Sequence, residues 1–185
     1  MLDAALANHE LALKKSQILQ QVGLSTKKYV LVTVHRAANT DDPQRLRQII
    51  TALNQAGETV VFPVHPRTRK AIQALNIDFA DHVHLIDPVG YFDMMILEEN
   101  ARMIATDSGG VQREAYFWSI PCITLRDETE WVETVSAGWN CLVGVEPEKI
   151  HSAWQNFIPP TQHPNIFGDG NASEKIVHTI EDQPA

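Results

Sequence analysis

The sequence is short of cysteine, of basic residues and of long apolar runs, and each shortage excludes a class of protein. Cys122 and Cys141 are the only two cysteines, so a disulfide framework and a Cys-x-x-C site for zinc or redox chemistry are both excluded. No apolar run is long enough to span a membrane, and the amino terminus has no apolar signal core. We therefore expect a cytoplasmic protein without a membrane partner, in which both thiols are free and buried.

Acidic residues outnumber basic ones, which bears on the choice of partner. The chain has 23 Asp plus Glu against 15 Lys plus Arg, for a formal charge of −8. A general nucleic-acid binder needs a basic face to neutralise phosphates, so we expect no nucleic-acid partner. A few backbone N–H groups and one or two arginines can still hold a diphosphate within an acidic protein.

Helical and strand-like patterns alternate along the 185 residues, which suit one domain with a substantial core. Predicted strands are residues 29–34, 59–64, 82–86, 102–106, 121–125 and 139–143. Predicted helices are residues 2–22, 42–56 with Asp41 or Asp42 as N-cap, 66–75, 91–99, 109–118, 130–136, 147–157 and 172–180. This alternation predicts an α/β fold, a Rossmann-like three-layer domain with a mainly parallel sheet, which binds ligands at the carboxyl ends of its strands.

Two polar clusters directly follow predicted strands. His35 and Arg36 follow the first strand, where a cation can meet an anionic ligand and an imidazole can act as acid or base. The second cluster is Asp107-Ser108-Gly109-Gly110, called the glycine loop below. Its glycines allow close approach of the backbone, and the N–H groups of the next helix favour a phosphate. Each cluster has a plainer interpretation, namely a polar loop or a tight turn that binds nothing.

Further polar residues extend the expected crevice. Glu114 lies one helical turn after the glycine loop and suits a ribose diol. A third cluster of mixed charge, residues 126–130, follows the fifth strand, although such charges often only solvate a loop. His65 follows the second strand and could line the same crevice. His82 and His84 share one face of a strand, but two histidines make an incomplete metal site, and we expect no metal.

Together these clusters resemble the non-hydrolysing UDP-N-acetylglucosamine 2-epimerases. The matching segments occur in the family's order and span nearly the whole chain, and the Asp-Ser-Gly-Gly and Arg-Asp-x-Thr-Glu pieces are specific in this order. The segments are Val32-Thr33-Val34-His35-Arg36, Phe62-Pro63-Val64-His65-Pro66, Leu85-Ile86-Asp87-Pro88, Thr106-Asp107-Ser108-Gly109-Gly110-Val111-Gln112-Arg113-Glu114, Leu125-Arg126-Asp127-Glu128-Thr129-Glu130 and Gly168-Asp169-Gly170-Asn171-Ala172.

The resemblance implies a fold, an activity and a set of roles. Family members have a GT-B fold of two Rossmann-like domains, and they interconvert UDP-GlcNAc and UDP-ManNAc for cell-surface polysaccharide synthesis. UDP is eliminated to leave a glycal, then added back with C2 inverted, without a cofactor. The full enzyme is implied to be a homodimer whose C-terminal domain holds UDP. By matching position, Ser108, Gly109 and Gly110 bind the diphosphate, Glu114 binds the ribose hydroxyls and His35 is the catalytic candidate. The remaining UDP-binding candidates are Arg36, His65, Met94, Arg126 and Glu130.

The sequence also departs from the family. The usual His-Arg-x-Glu-Asn has Ala38 in place of the glutamate, Met94 stands where many members place an aromatic near the base, and Trp131-Val132 replaces Arg-Pro. Residues 1–185 are interpreted as a single UDP-binding domain, with a leading helix at 1–23 and a C-terminal helix at 171–181. The N-terminal domain, which carries the acidic catalytic residues, is expected to be absent.

Several explanations of that absence remain open. The chain could be a fragment of a full enzyme, a split-gene product completed by an N-terminal partner chain, or a degenerate UDP-sugar-binding module, which Ala38 favours. An alternative from another class is the donor domain of a GT-B glycosyltransferase. In each case we expect UDP or UDP-GlcNAc as ligand and no epimerisation by the isolated chain, since one half-site lacks the carboxylates for proton transfer.

Overall fold

A six-stranded sheet with helices on both faces makes up the fold in the computed structural model, which describes residues 1–182. All neighbouring strands are parallel, and their order is β3-β2-β1-β4-β5-β6. The prediction of an α/β Rossmann-like domain is therefore confirmed. The strands are β1 (Val30–Thr33), β2 (Val60–Pro63), β3 (Val83–Ile86), β4 (Met103–Thr106), β5 (Cys122–Thr124) and β6 (Asn140–Leu142).

The helices follow the predicted alternation, with most ends within two residues of the expected positions. They are α1 (Leu2–Lys15), α2 (Ile18–Gln21), α3 (Ala37–Thr40), α4 (Pro43–Asn54), α5 (Pro66–Leu75), α6 (Tyr91–Asn100), α7 (Gly109–Phe117), α8 (Val132–Ser136), α9 (Pro147–Asn156) and α10 (Ala172–Glu181). The short helix α3 was not predicted. Of the two N-cap candidates for α4, the structure uses Asp42, whose carboxylate accepts from the amides of Gln44 and Arg45.

The leading helix is not continuous, so the prediction of one helix from residue 2 to 22 is wrong. It breaks after Lys15, and Ser16 has extended backbone angles. The Ser16 hydroxyl donates to Asp93 Oδ1 at 2.6 Å and accepts from the amide of Ile18 at 3.3 Å. A tertiary contact with α6 thus replaces a helical turn. Gly23, expected as the stop, has a φ of +67° directly after α2.

The core lies in two layers, one on each face of the sheet. Alternate residues of β1 point to opposite layers, because successive side chains of a strand face opposite sides. Val30 and Val32 pack with α4, α5 and α9, whereas Tyr29 and Leu31 pack with α1, α6 and α7. Burial on both faces explains why β1 is apolar up to its last residue, Thr33.

The two free cysteines differ in burial. Cys122 is buried as predicted, but Cys141 is partly exposed because it lies on β6, the edge strand of the sheet. Within residues 1–182, every helix is too short or too polar to cross a membrane.

Strand order reverses beside β1, and this places the candidate site. From β1 the chain moves outward through β2 to β3, then returns to β4 on the opposite side of β1. The loops that leave β1 and β4 therefore diverge to different faces and open a crevice between them, where doubly wound folds bind their ligands.

Candidate functional site

The three predicted polar clusters meet at this crevice. β1 and β4 pair in register so that Thr33 lies opposite Thr106, which brings His35 beside the glycine loop. β5 is the next strand along and delivers residues 126–130 to the other side of that loop. The sequence predicted that each cluster follows the end of a strand, and the order of strands in the sheet brings the three clusters side by side.

The buried carboxylate of Asp107, for which the sequence predicted no function of its own, joins the first two clusters. Asp107 is fully buried. It accepts hydrogen bonds from the backbone amide of His35 at 3.0 and 3.2 Å, from that of Arg36 at 3.0 Å, and from Asn39 Nδ2 at 3.1 Å. Asp107 therefore holds the β1 loop against the glycine loop. An acidic residue between an apolar strand and a glycine loop was the signal that could have shown this.

Asn39 extends the same network to the third cluster. Its side chain is buried, donates to the carbonyl of Leu125 at 3.0 Å, and accepts from Arg45 Nε at 3.1 Å. Arg45 in turn pairs with Asp127 at 3.2 Å. Asn39 is the last residue of the His-Arg-x-Glu-Asn motif, but its position in the motif predicts no function. In the structure it links the loops after β1 and β5.

The glycine loop presents the N-terminus of α7 to the crevice. Ser108 is the N-cap, and its amide donates to the Thr106 hydroxyl at 2.9 Å. The amides of Gly109 and Gly110 have no acceptor in the described part of the chain. Free amides at the start of a nine-residue helix are a strong arrangement for an anion.

Two arginines and one glutamate lie beside the glycine loop. Arg36 Nη2 donates to Glu130 Oε1 at 3.0 Å, and Arg126 Nη1 donates to Glu130 Oε2 at 2.7 Å. A Cβ added to Gly109 would overlap the Glu130 carboxylate and come within 3.0 Å of Trp131 Nε1. While Glu130 stays in this position, only glycine fits at residue 109, because the third cluster packs closely against α7.

A cavity of about 230 Å³ brings together three further predicted residues, His35, His65 and Met94. Neither ring nitrogen of His35 has a hydrogen-bond partner within residues 1–182, whereas His65 Nδ1 accepts from the amide of Arg67 at 3.3 Å. The rest of the lining is mostly apolar. It consists of Thr33, Val34, Pro63, Pro88, Val89 and Val111. A mostly apolar cavity with two imidazoles suits a planar ring that carries a few polar atoms.

Glu114 is placed differently from the other predicted residues. It is half-buried on α7 and does not line this cavity; its charge acts on Glu98 and Tyr91 of α6. Glu98 is almost fully buried, and its Oε1 has no hydrogen-bond partner in the described residues. Burial, and then the charge of Glu114, raise the pKa of Glu98 well above its ordinary value of 4.5. The role of Glu114 in ribose binding stays a prediction.

Replacing Glu98 with glutamine should make stability less dependent on pH. In the folded state Glu98 keeps its proton above pH 4.5, where the unfolded chain loses it, so its contribution to stability falls as pH rises through and beyond that value. Glutamine is neutral at every pH. We expect Glu98→Gln to raise the melting temperature at pH 8 and to have a smaller effect at pH 5. At pH 8 the gain in the free energy of unfolding is about 1.4 kcal/mol for each unit by which folding raises the pKa of Glu98.

The control for Glu98 is Glu174→Gln, which removes the same charge from the exposed helix α10. Thermal unfolding of both variants at pH 5 and pH 8 makes the comparison. An equal effect of Glu98→Gln at the two pH values would show that Glu98 ionises normally in the folded protein.

The other histidine pair forms no site. His82 Nε2 lies 3.1 Å from the carbonyl of Leu53 and His84 is exposed. In residues 1–182 no group of three or more His, Cys, Asp or Glu side chains is placed to hold a metal ion.

Comparison with known proteins identifies the family to which this chain belongs. The chain matches the family described as UDP-N-acetylglucosamine 2-epimerase over residues 1–181. It is 50% identical to the UDP-N-acetylglucosamine 2-epimerase homolog of Methanococcus maripaludis, covering 97% of this chain and 52% of that protein. It is 44% identical to the UDP-2,3-diacetamido-2,3-dideoxy-D-glucuronate 2-epimerase of Pseudomonas aeruginosa, covering 86% and 46%.

A solved structure agrees with these relatives. The UDP-GlcNAc 2-epimerase of Methanocaldococcus jannaschii, crystallised with UDP-GlcNAc and UDP, superposes with a TM-score of 0.88 at 37% identity and covers 98% of this chain and 53% of that one. The chain thus spans about half the length of the curated relatives it matches. The matched residues 1–181 place this chain in the UDP-N-acetylglucosamine 2-epimerase family, as its motifs predict.

Proposed function

We propose that this chain is the UDP-binding half of a UDP-sugar 2-epimerase and that it does not epimerise alone. The observation that carries the proposal is the pair of free amides at Gly109 and Gly110 with two guanidiniums beside them, at the reversal of strand order. Free amides at a helix start and arginine forks are the two protein groups best suited to a diphosphate.

Each part of the site takes one part of the ligand in this proposal. The amides that follow Ser108 bind the diphosphate, and Arg36 and Arg126 neutralise its charge. The cavity lined by His65 and Met94 takes the uracil ring. Met94 supports this assignment because its thioether packs against flat rings in place of the usual aromatic residue. Glu114 binds the ribose hydroxyls in the same arrangement, which requires its carboxylate to turn from α6 toward the ligand.

His35 is the catalytic candidate, and it is insufficient by itself. Elimination removes the proton from C2 and the UDP from C1, and the return step adds UDP to C1 and a proton to the opposite face of C2. The reaction needs groups on both faces of the sugar. In the described residues the cavity beside His35 is lined by no carboxylate, so the second set of groups has to come from elsewhere.

The missing groups belong, we infer, to an N-terminal domain or partner chain, and the complete enzyme is a cytoplasmic homodimer in cell-surface polysaccharide synthesis. The half-length match to the relatives supports this. Helix α10 supports it too, because Ile176, Val177 and Ile180 are 59%, 52% and 66% exposed and form one apolar side of a helix without buried residues.

Titration calorimetry with UDP, UDP-GlcNAc and ADP tests the proposed ligand. We expect UDP and UDP-GlcNAc to bind with similar affinity, since the sugar contacts lie mainly outside this chain, and ADP to bind more weakly. Equal binding of all three nucleotides would contradict a uridine-selective cavity. The nucleotide sugar in the name of the Pseudomonas aeruginosa relative, UDP-2,3-diacetamido-2,3-dideoxy-D-glucuronate, should be titrated too, because that relative is 44% identical to this chain.

Turnover separates the remaining explanations. Incubation of the isolated chain with UDP-GlcNAc, followed by NMR, should yield no UDP-ManNAc; turnover by the purified chain would contradict the proposal. With the missing half supplied, UDP-ManNAc would identify an epimerase and transfer to an acceptor a glycosyltransferase. If nothing is formed, the chain is a degenerate binding module, a second candidate that the loss of the motif glutamate at Ala38 favours.

A further inference from the structure

One carboxylate lies where the proposed diphosphate should bind. Glu130 rests against Gly109 at the first turn of α7, so that a Cβ added to this glycine would overlap its Oε1. Its two oxygens separately accept from Arg36 at 3.0 Å and Arg126 at 2.7 Å. Glu130 therefore binds both guanidiniums and packs against the first residue of α7 without accepting from its free amides, so it covers part of the surface that an anionic ligand would use.

We propose that the Glu130 carboxylate is an internal occupant of the diphosphate site, which holds the two arginines in place in the free protein and leaves when a nucleoside diphosphate binds. The inference rests on the proposed function and adds a competing anion to it. UDP binding is then an exchange of one anion for another, and the observed affinity is lower than that of an open site.

Electrostatics favours this exchange over joint occupancy. The helix start and the two arginines attract negative charge, so the carboxylate is a suitable partner for them when no ligand is present. Burial acts to raise the pKa of Glu130, but its own backbone amide, Arg126 and Arg36 together hold the pKa below its ordinary value. The group is thus charged at neutral pH, and a diphosphate at the same arginines would be repelled by it.

Only the Glu130 side chain has to move, because the side chains of both neighbouring residues are anchored to α7. The Thr129 hydroxyl donates to Gln112 at 2.6 Å. On the other side, the Arg113 guanidinium lies 3.9 Å from the ring centre of Trp131. Glu130 itself is 41% exposed, so rotation into solvent frees the site without any rearrangement of the loop.

The test compares Glu130→Gln with Glu128→Gln by titration calorimetry with UDP. Glutamine at 130 keeps the shape and removes the charge, so we expect UDP to bind about tenfold more tightly, a gain of about 1.4 kcal/mol. Glu128 is exposed and forms no ion pair among residues 1–182, so its variant measures the general effect of one lost charge and should change affinity less than twofold. Uridine, titrated by NMR, should bind both variants like the original chain because it carries no phosphate.

The outcomes distinguish a failure of the anion exchange at Glu130 from a failure of the proposed UDP site. If the original chain binds UDP and Glu130→Gln binds it no more tightly, Glu130 is a fixed support for the arginines and the exchange is refuted, while the UDP site stands. An equal gain in both variants would reduce the effect to net charge and would also refute the exchange. If neither the original chain nor Glu130→Gln binds UDP, the proposed function itself fails.

Discussion

Replacing Asp107 with asparagine should lower the free energy of unfolding by about 3 kcal/mol or more, because hydrogen bonds to a buried charged acceptor are worth about 1.5–3 kcal/mol each. The carboxylate accepts from two backbone amides and from Asn39 Nδ2. An asparagine of the same shape would turn an NH₂ group toward donors and leave some of these without an acceptor. Urea unfolding of the two proteins measures the difference.

The effect of Asp107→Asn should extend to the ligand, because Asp107 positions the backbone of His35 and Arg36. We expect UDP affinity to fall together with stability, even though Asp107 is too deeply buried to touch a ligand. Asp78→Asn is the control, since Asp78 is exposed and its carboxylate has no partner in the described residues. A change of less than about 0.5 kcal/mol in Asp107→Asn would show that the loop is held by other contacts.

The fold was predictable wherever local sequence and tertiary structure agree. Helix α5 begins and ends where the sequence predicted, because Pro66 suits a first turn. His65 caps its start, and Asn76 closes its end in the left-handed region with a φ of +48°. The patterns of the central strands β1, β2 and β4 were equally clear, because strands buried on both faces are mostly apolar.

Local sequence fails where a distant residue decides the structure. Residues 2–22 have a helical pattern throughout, yet the helix breaks at Ser16 for a hydrogen bond to Asp93, which lies 77 positions away. Nothing in the spacing of the leading helix indicates that partner. The tertiary contact with Asp93 therefore outweighs the local preference of these residues for a continuous helix.

The candidate site divides in the same way. Its clusters were predictable because they follow strands, and parallel strands end at one edge of the sheet. The contacts among them were not, since they join segments that are far apart in sequence, as with Arg36 and Glu130 at 94 positions. Asp107 and Asn39 stayed without a role for that reason. Their partners become visible only when the loops after β1, β4 and β5 are brought together.

The orientation of Glu114 shows a further limit. Sequence spacing puts Glu114 one turn after the glycine loop, which predicts that it faces the crevice. The structure brings its charge close to Glu98, a buried carboxylate on another helix. Helical periodicity fixes the direction of a side chain about its own axis, but the neighbour on that side depends on how α6 and α7 pack.

Replacing Ser108 with tryptophan should weaken UDP binding by at least about a hundredfold, or about 2.7 kcal/mol. The indole would cover the start of α7, where the amides of Gly109 and Gly110 have no acceptor within residues 1–182. The substitution also removes the hydroxyl cap of α7, which accepts from the amide of Val111 at 3.5 Å, and this loss costs about 1 kcal/mol of stability. Ser108→Ala separates the two effects, because it removes the hydroxyl without adding bulk, and it should weaken UDP binding only a few-fold.

The matched control for bulk is Ser152→Trp, on the exposed side of α9. It adds the same indole at a residue that belongs neither to the glycine loop nor to the lining of the cavity beside His35, and it should leave UDP affinity unchanged. Calorimetry at equal protein concentration gives the affinities of the original chain and of the three variants, and circular dichroism checks that each variant is folded. If Ser108→Trp is folded and binds UDP as well as Ser152→Trp does, the diphosphate cannot lie at the glycine loop. The two arginines would then have to hold the diphosphate without the help of α7.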